Sequence, residues 1–336
     1  MFINMELKMK IVHWNYFNES DEISGIKRYE TELYNHMSGI SDVQCQQVQR
    51  HNRNIFFDEF EEHDSDIVHA TFQNLAPLAL IKKPYRFVLT VHDLIPKFYY
   101  SIPQKIKHMW YLIEASINKA DKIIVDSEYT KQDLISYLNI TEDKIHVVPL
   151  GVSDAYHPHC KLNSCTRIGL TGDKKRILVN SSNKPWKNVK TLNRIIDRLP
   201  EYEFVKIGYG TTIQNENILN LGFVPEIEMP YLYSACDLFL HTSEYEGFGL
   251  PVLEAMSCGC PVVSSNGASL PEVVGNGGVL VSSNDVDRYC DVIDTLLSSK
   301  NTLKLWVKNG TEQASKFTWD RTAEQTLEVY KKCLNE

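Results

Sequence analysis

A chain of 336 residues is long enough for two domains with separate cores. Its formal charge of −8 argues against a nucleic-acid partner, and 43% hydrophobic with 23% charged residues is the balance of a globular protein. No apolar run reaches the roughly 18 residues that cross a bilayer. The opening MFINMELKMKIVHW lacks a secretory apolar core and cleavage site, so a cytoplasmic location is expected.

In chain order, residues 10–14 read as the first strand and 26–37 as a helix. Residues 66–69 end a further strand, and 87–91 (FVLTV) form a buried one. The segment QKIKHMWYLIEASINKA places Ile106, Met109, Trp110, Ile113 and Ile117 on one helical face. KIIVD (122–126) is a strand, Ser127 caps the helix after it, and IHVVPLG closes the half. Residues 154–175 are polar and turn-rich and read as a linker, which sets the expected domains at 1–160 and 172–316.

The second half restarts at 176–180 and runs through EFVKIGYG, NILNLGFV, DLFLHT, CPVVSS and GGVLV, an alternation of strands and helices that predicts a parallel sheet. Its richest stretch is EYEGFGLPVLEAMSCGCPVV. Gly247 and Gly249 bracket a turn, Pro251 opens a helix and Gly259 stops it. The free N–H groups at that helix start favour an anion. Glu246 before the turn and Glu254 within the helix can take several hydroxyls beside a bound phosphate, which describes a nucleotide sugar. In the last segment, Trp319, Thr322, Ala323, Thr326, Leu327, Tyr330 and Leu334 recur near the helical period as a core-facing stripe. The eight cysteines form no CxxC pair and read as reduced thiols. No GxGxxG follows the first strand, which disfavours a dehydrogenase.

These residues resemble the retaining family-4 glycosyltransferases of the GT-B fold. Glu246 and Glu254 match that family's E-x7-E motif. SNGASLPEVVGNGGVLV (265–281), HVVPLGV, NKPWKN and FTWDRTAEQTLEVY continue the match along nearly the whole chain. The resemblance implies an α/β protein of two facing Rossmann-like domains with a deep cleft. The first would hold acceptor, the second donor, and the helix at about 317–336 would pack back on the first. It also implies sugar transfer with retention, no cofactor and no metal; no Asp-x-Asp motif stands in a plausible donor loop.

Carried over residue by residue, the resemblance gives Glu246, Lys187 and His92 as catalytic residues. Glu246 would contact the transferred sugar, Lys187 the departing diphosphate, and His92 would approach the sugar, with Asp93 a candidate to orient it. Glu254 would bind the ribose hydroxyls. The N–H groups of Phe248, Gly249 and Leu250 would hold phosphate or sugar oxygens, and Gly25 would lie near phosphate. The backbone at 207–208 and 222–224, Val224 included, would meet the base. Where the family often has an arginine near the phosphate, this chain has Ser181 or Trp186, with Lys184 the available substitute. His69 and Asn74 are acceptor-side candidates.

The VHDLIP wording is most similar to members that use GDP-mannose. The expected activity is transfer of mannose to a hydroxyl of a glycan or lipid-linked acceptor. A UDP-hexose donor, a nucleotide-sugar epimerase or phosphorylase, and an inactive binding subunit are the alternatives. Residues 97–111 combine lysines and aromatics without an acid. They read either as a weak peripheral membrane contact or as an ordinary helix with Trp110 and Tyr111 facing the core.

Overall fold

The computed structural model describes residues 8–17, 24–49, 64–99, 104–208, 210 and 213–336, the side chains of 104–107 excepted. The chain divides into two compact units, one ending at Gly151 and taking back Thr318–Glu336, the other Val152–Phe317.

In the first unit, β1 (Met9–Asn15), α1 (Gly25–Ser38), β2 (Val43–Gln49), β3 (Ile67–Ala70), α2 (Leu78–Ile81), β4 (Phe87–Val91), α3 (Ile95–Tyr99), α4 (Gln104–Ile117), β5 (Lys122–Val125), α5 (Glu128–Leu138) and β6 (Ile145–Val147) follow one another. The sheet is parallel throughout, in the order β2-β1-β3-β4-β5-β6. The apolar runs of β3, β4 and β5 are buried on both faces, as a covered parallel sheet requires. The edge strand β2 (VQCQQVQ) buries only Val43 and Val48, so its sequence carries no strand signal.

In the second unit, α6 (Lys161–Ile168), β7 (Arg176–Asn180), α7 (Val189–Arg198), β8 (Glu203–Ile207), β9 (Ile218–Gly222), α8 (Met229–Ala235), β10 (Leu238–His241), α9 (Leu250–Ser257), β11 (Val262–Ser265), α10 (Leu270–Val274), β12 (Val279–Val281), α11 (Val286–Ser298) and α12 (Lys300–Ala314) build a parallel sheet in the order β12-β11-β10-β7-β8-β9. That is the dinucleotide-fold order, with a switch point between β7 and β10, where ligands of such sheets bind.

The boundary at Gly151 corrects the expected domain limits of 160 and 172. Residues 154–175 are not a plain linker, because α6 packs on α8. Its Ser164 is buried, Arg167 donates to Glu228 through Nε and Nη2 (2.7 and 2.9 Å), and Lys161 meets Asp237 at 2.5 Å. A short helix whose charges pair with its neighbour reads, in sequence, as a polar loop.

The last helix, α13 (Trp319–Leu334), belongs to the first unit and lies against α1. Trp319, Thr322, Ala323, Thr326 and Tyr330 are buried, while Leu327 is only half-buried and Val329 and Cys333 complete the stripe. Tyr330 reaches into a buried polar chain. Its hydroxyl lies 3.0 Å from His13 Nε2 and 2.6 Å from His69 Nδ1. His69 Nε2 meets Thr90 Oγ1 at 2.7 Å, which meets the Tyr29 hydroxyl at 2.8 Å. His69 therefore has no exposed surface, which corrects its place as an acceptor-side candidate.

Candidate active site

The second unit's site forms where β7 and β10 diverge. After β7 the chain makes a single 3-10 turn, Pro185–Lys187, before α7. After β10 it passes through Thr242 and Glu244 to the glycine turn. The two loops are tied by backbone: Glu244 N donates to Trp186 O (2.7 Å), and Thr242 Oγ1 donates to Lys187 O (3.2 Å). This places Lys187 Nζ 2.7 Å from Glu246 Oε1, with both side chains largely buried. His241, the last residue of β10, puts Nε2 3.1 Å from the same oxygen. Burial pushes the Glu246 carboxyl up, but the Lys187 ammonium and the His241 N–H outweigh it and hold the group well below the usual carboxylate range. Glu246 is thus an anchored carboxylate.

Gly249, at φ +116°, gives α9 its start in a conformation that side chains resist. Ser269 Oγ lies 2.9 and 2.8 Å from the carbonyls of Glu246 and Phe248 and pins the turn. Among the described residues, the N–H groups of Phe248, Gly249 and Leu250 have no acceptor, so the positive end of α9 is open to an anion. Further along α9, Glu254 is buried and accepts from the Tyr233 hydroxyl at 2.9 Å. Glu246, Lys187 and the turn therefore meet at one switch point, with Glu254 further along α9, bonded to Tyr233.

The backbone stretches expected to meet a base are also joined, since Gly208 N donates to Gly222 O (2.9 Å). Val224 follows half-buried. No side chain fits at Gly208, where a Cβ would lie 2.5 Å from Ser181 O.

Gly267 braces the site from the loop after β11. A Cβ there would stand 2.3 Å from Glu244 O. Gly267→Ala must displace the backbone two residues before Glu246. We expect it to destabilise the unit by about 2–3 kcal/mol and to weaken GDP binding. An unchanged melting temperature would show that the loop has room.

His92 and Gly25 belong to the first unit. Gly25 is the exposed first residue of α1, behind the cap in which Ser24 Oγ accepts from Lys27 N (3.2 Å). His92 is buried, with Nδ1 2.7 Å from Asp126 Oδ2 and Nε2 3.1 Å from Thr71 O. Burial of the ring lowers its pKa, but Asp126 more than reverses this, and the net shift is upward. Asp126, not Asp93, orients His92. Asp93 Oδ1 instead accepts from Ile95 N (2.9 Å), as a turn cap. Gln73 braces the loop by accepting from His92 N (3.2 Å) and donating to Asp93 O (3.1 Å). Beside it, the buried Glu30 accepts from Tyr16 N (2.6 Å) and Thr71 Oγ1 (2.9 Å) and holds the end of β1.

Sequence reading missed Tyr233, His241, Asp126 and Glu30. His241 and Asp126 left a signal, each being a polar residue directly at the end of a buried apolar strand. Tyr233 and Glu30 left none. In the stretch 97–111, Trp110 is buried and Tyr111 exposed. Lys97 and Trp110 both bond to Glu114 (2.8 Å each). Residues 100–103 and the side chains of 104–107 lie outside the described residues. Among the described residues, no helix is long and apolar enough to cross a membrane, and no group of acidic, histidine or cysteine side chains is placed to hold a metal ion.

Two Rossmann-like units, one carrying a lysine–carboxylate pair over an open helix start at its switch point, are the arrangement of the nucleotide-binding α/β proteins. The comparisons with known proteins narrow it. Residues 166–313 match the model of glycosyl transferases group 1, and residues 50–156 that of glycosyltransferase family 4. The O-antigen chain mannosyltransferase B of Escherichia coli is 32% identical over 272 residues, covering 73% of this chain and 70% of that one. The serotype-specific mannosyltransferase WbdA of Escherichia coli is 29% identical over 75% of this chain, which spans only 34% of WbdA. Alr3699/HepE of Anabaena, solved in complex with UDP-glucose, matches with a TM-score of 0.77 over 96% of this chain and 100% of that one; at 17% identity this shows the fold alone. The chain belongs to the family-4 glycosyltransferases of the GT-B fold and is mannosyltransferase-like.

Proposed function

We propose that the protein is a retaining, metal-independent transferase that moves mannose from GDP-mannose to a hydroxyl of a glycan or lipid-linked acceptor. The observation that carries this reading is the Lys187–Glu246 pair at 2.7 Å beside the open N–H groups of the glycine turn. The mannosyltransferase relatives favour mannose over a UDP-hexose. In this reading the diphosphate lies over the start of α9, and Glu254 takes the ribose hydroxyls. The C1–O bond to the diphosphate breaks as positive charge grows on the ring. Lys187 and the N–H groups favour the departing charge, and Glu246 favours the ring. The acceptor hydroxyl adds from the same face, and its proton leaves with the phosphate oxygen. His92, held by Asp126 within the first unit, keeps the catalytic role that the family resemblance implies. The site is read as cytoplasmic, with 97–111 as a weak peripheral membrane contact.

Calorimetry with GDP-mannose, UDP-glucose and UDP-N-acetylglucosamine, with EDTA present, tests the donor. Selective binding of GDP-mannose is expected. Tight binding of a UDP-sugar alone would replace the donor, and release of product without acceptor would point to an epimerase. An α-linked product is expected by NMR, and a β-linked one would reject retention. Glu254→Ala is expected to weaken GDP binding by about 1.5–3 kcal/mol, the scale of hydrogen bonds to a charged group. Parent-like binding would remove Glu254 from the ribose.

A further inference from the structure

We infer that His241 is a positioning residue for Glu246: its Nε2–H holds the carboxylate by Oε1 and leaves Oε2 for a bound sugar when Lys187 turns to the diphosphate. This rests on the donor reading above.

The strand context makes the histidine costly. Leu238, Phe239 and Leu240 before it are buried, and His241 itself is 1% exposed. Its ring stacks on Phe239 at 5.7 Å. Nδ1 is buried without a hydrogen-bond partner among the described residues. An apolar residue of the same size would fill this space without stranding a polar nitrogen, so the imidazole needs another reason to be there. The reason is on its other side. A carboxylate accepts only, so Nε2 carries the ring proton and donates it to Oε1. Burial keeps the ring's pKa below its ordinary value, with Glu246 opposing, which suits a neutral donor.

Lys187 and His241 share Oε1, at 2.7 and 3.1 Å, and no group among the described residues takes Oε2. The two donors differ in freedom. The lysine is a point charge on a flexible stem from a loop, able to swing to an arriving diphosphate. The imidazole is fixed on a strand. Once the lysine moves, His241 alone keeps the carboxylate oriented toward the reacting sugar.

His241→Phe removes the donor and keeps the volume. It is expected to lower kcat for transfer from GDP-mannose by about 10–100-fold, the scale for residues that orient a functional group. The KM for GDP-mannose and the affinity for GDP are expected to stay within about threefold. His241→Gln, whose amide reaches the Nε2 position, is expected to recover most of kcat. A kcat for His241→Phe equal to the parent's, or a Gln variant as slow as the Phe variant, overturns the inference. If the Phe variant does not fold, His241→Met serves in its place. The ring is read without any donor by long-range ¹H–¹⁵N spectra of histidine-labelled protein. A neutral Nε2–H tautomer supports the inference, and an Nδ1–H tautomer or an imidazolium overturns it. A parent protein that turns over none of the three nucleotide sugars, yet shows the Nε2–H tautomer, brings down the transfer reading and leaves the hydrogen bond standing.

Discussion

Glu246→Gln is expected to lower kcat by about 10²–10³-fold while GDP binds at least as tightly as to the parent. The two halves of this prediction have one cause. Lys187 is paired with Glu246 at 2.7 Å, with only 19% of its side chain exposed. An arriving diphosphate must draw the ammonium away from that partner. A glutamine of the same shape still accepts a hydrogen bond but offers no charge, so the lysine is easier to recruit. On the proposed mechanism, the ring charge that develops during transfer then has no carboxylate beside it. The free variant also keeps a partly desolvated ammonium without its counter-ion. We expect it to lose on the order of 1–3 kcal/mol of stability, less than a fully buried pair would because both groups retain some solvent. Added GDP should restore more melting temperature to this variant than to the parent. Steady-state kinetics, calorimetry and thermal shifts read the three effects. Loss of GDP affinity in step with kcat would mean that Glu246 holds the nucleotide and that its role has been mistaken.

Much of this site was legible because its parts follow strands. The apolar runs at 87–91, 122–125, 176–180 and 238–241 announce parallel strands. Catalytic groups of such sheets stand on the loops at the carboxyl ends. The spacing of Glu246 and Glu254 around two glycines and a proline was local, and so was readable. What the sequence hid was pairing between distant segments. Asp93 is next to His92 in the chain, so it was the natural candidate to orient the ring. The register of β4 with β5 sets Val91 opposite Val125, which brings the following residues, His92 and Asp126, together. Glu30 supports β1 from within α1, and Tyr233 reaches Glu254 from α8. Neither contact has a spacing that a linear reading detects. α6 was lost for a related reason, since the helix hides its few buried groups among charges that find partners only in the folded unit.

Acid is expected to loosen the first unit as the pH falls below 6.5. Burial holds His13 at about 3, and burial together with its histidine neighbours holds His69 well below 6.5. Both rings are neutral when folded and take up protons in the unfolded chain below pH 6.5. A depressed histidine pKa stabilises above the unfolded value, and that stability is lost as pH falls toward the folded value. Each such group costs roughly 1.4 kcal/mol per pH unit in this range. Two together give about 2.7 kcal/mol per unit. Glu30 and Asp126 oppose this as the pH falls, because burial raises both carboxyls and the native state then binds the extra protons, so the histidine effect is read in the window just below pH 6.5. The chain from His13 through Tyr330 to His69 ties α13 to the sheet. Protection of α13 amides, corrected for the intrinsic pH dependence of exchange, is therefore expected to fall steeply across that window. Tyr330→Phe removes the hydroxyl that both rings use and leaves two buried nitrogens without it. It is expected to cost about 1–3 kcal/mol at pH 8, where neither ring titrates. His69→Gln keeps hydrogen-bonding groups but not the titration, and should flatten the pH slope by about one proton. A slope unchanged in His69→Gln would mean that the acid lability of α13 comes from somewhere other than this buried chain.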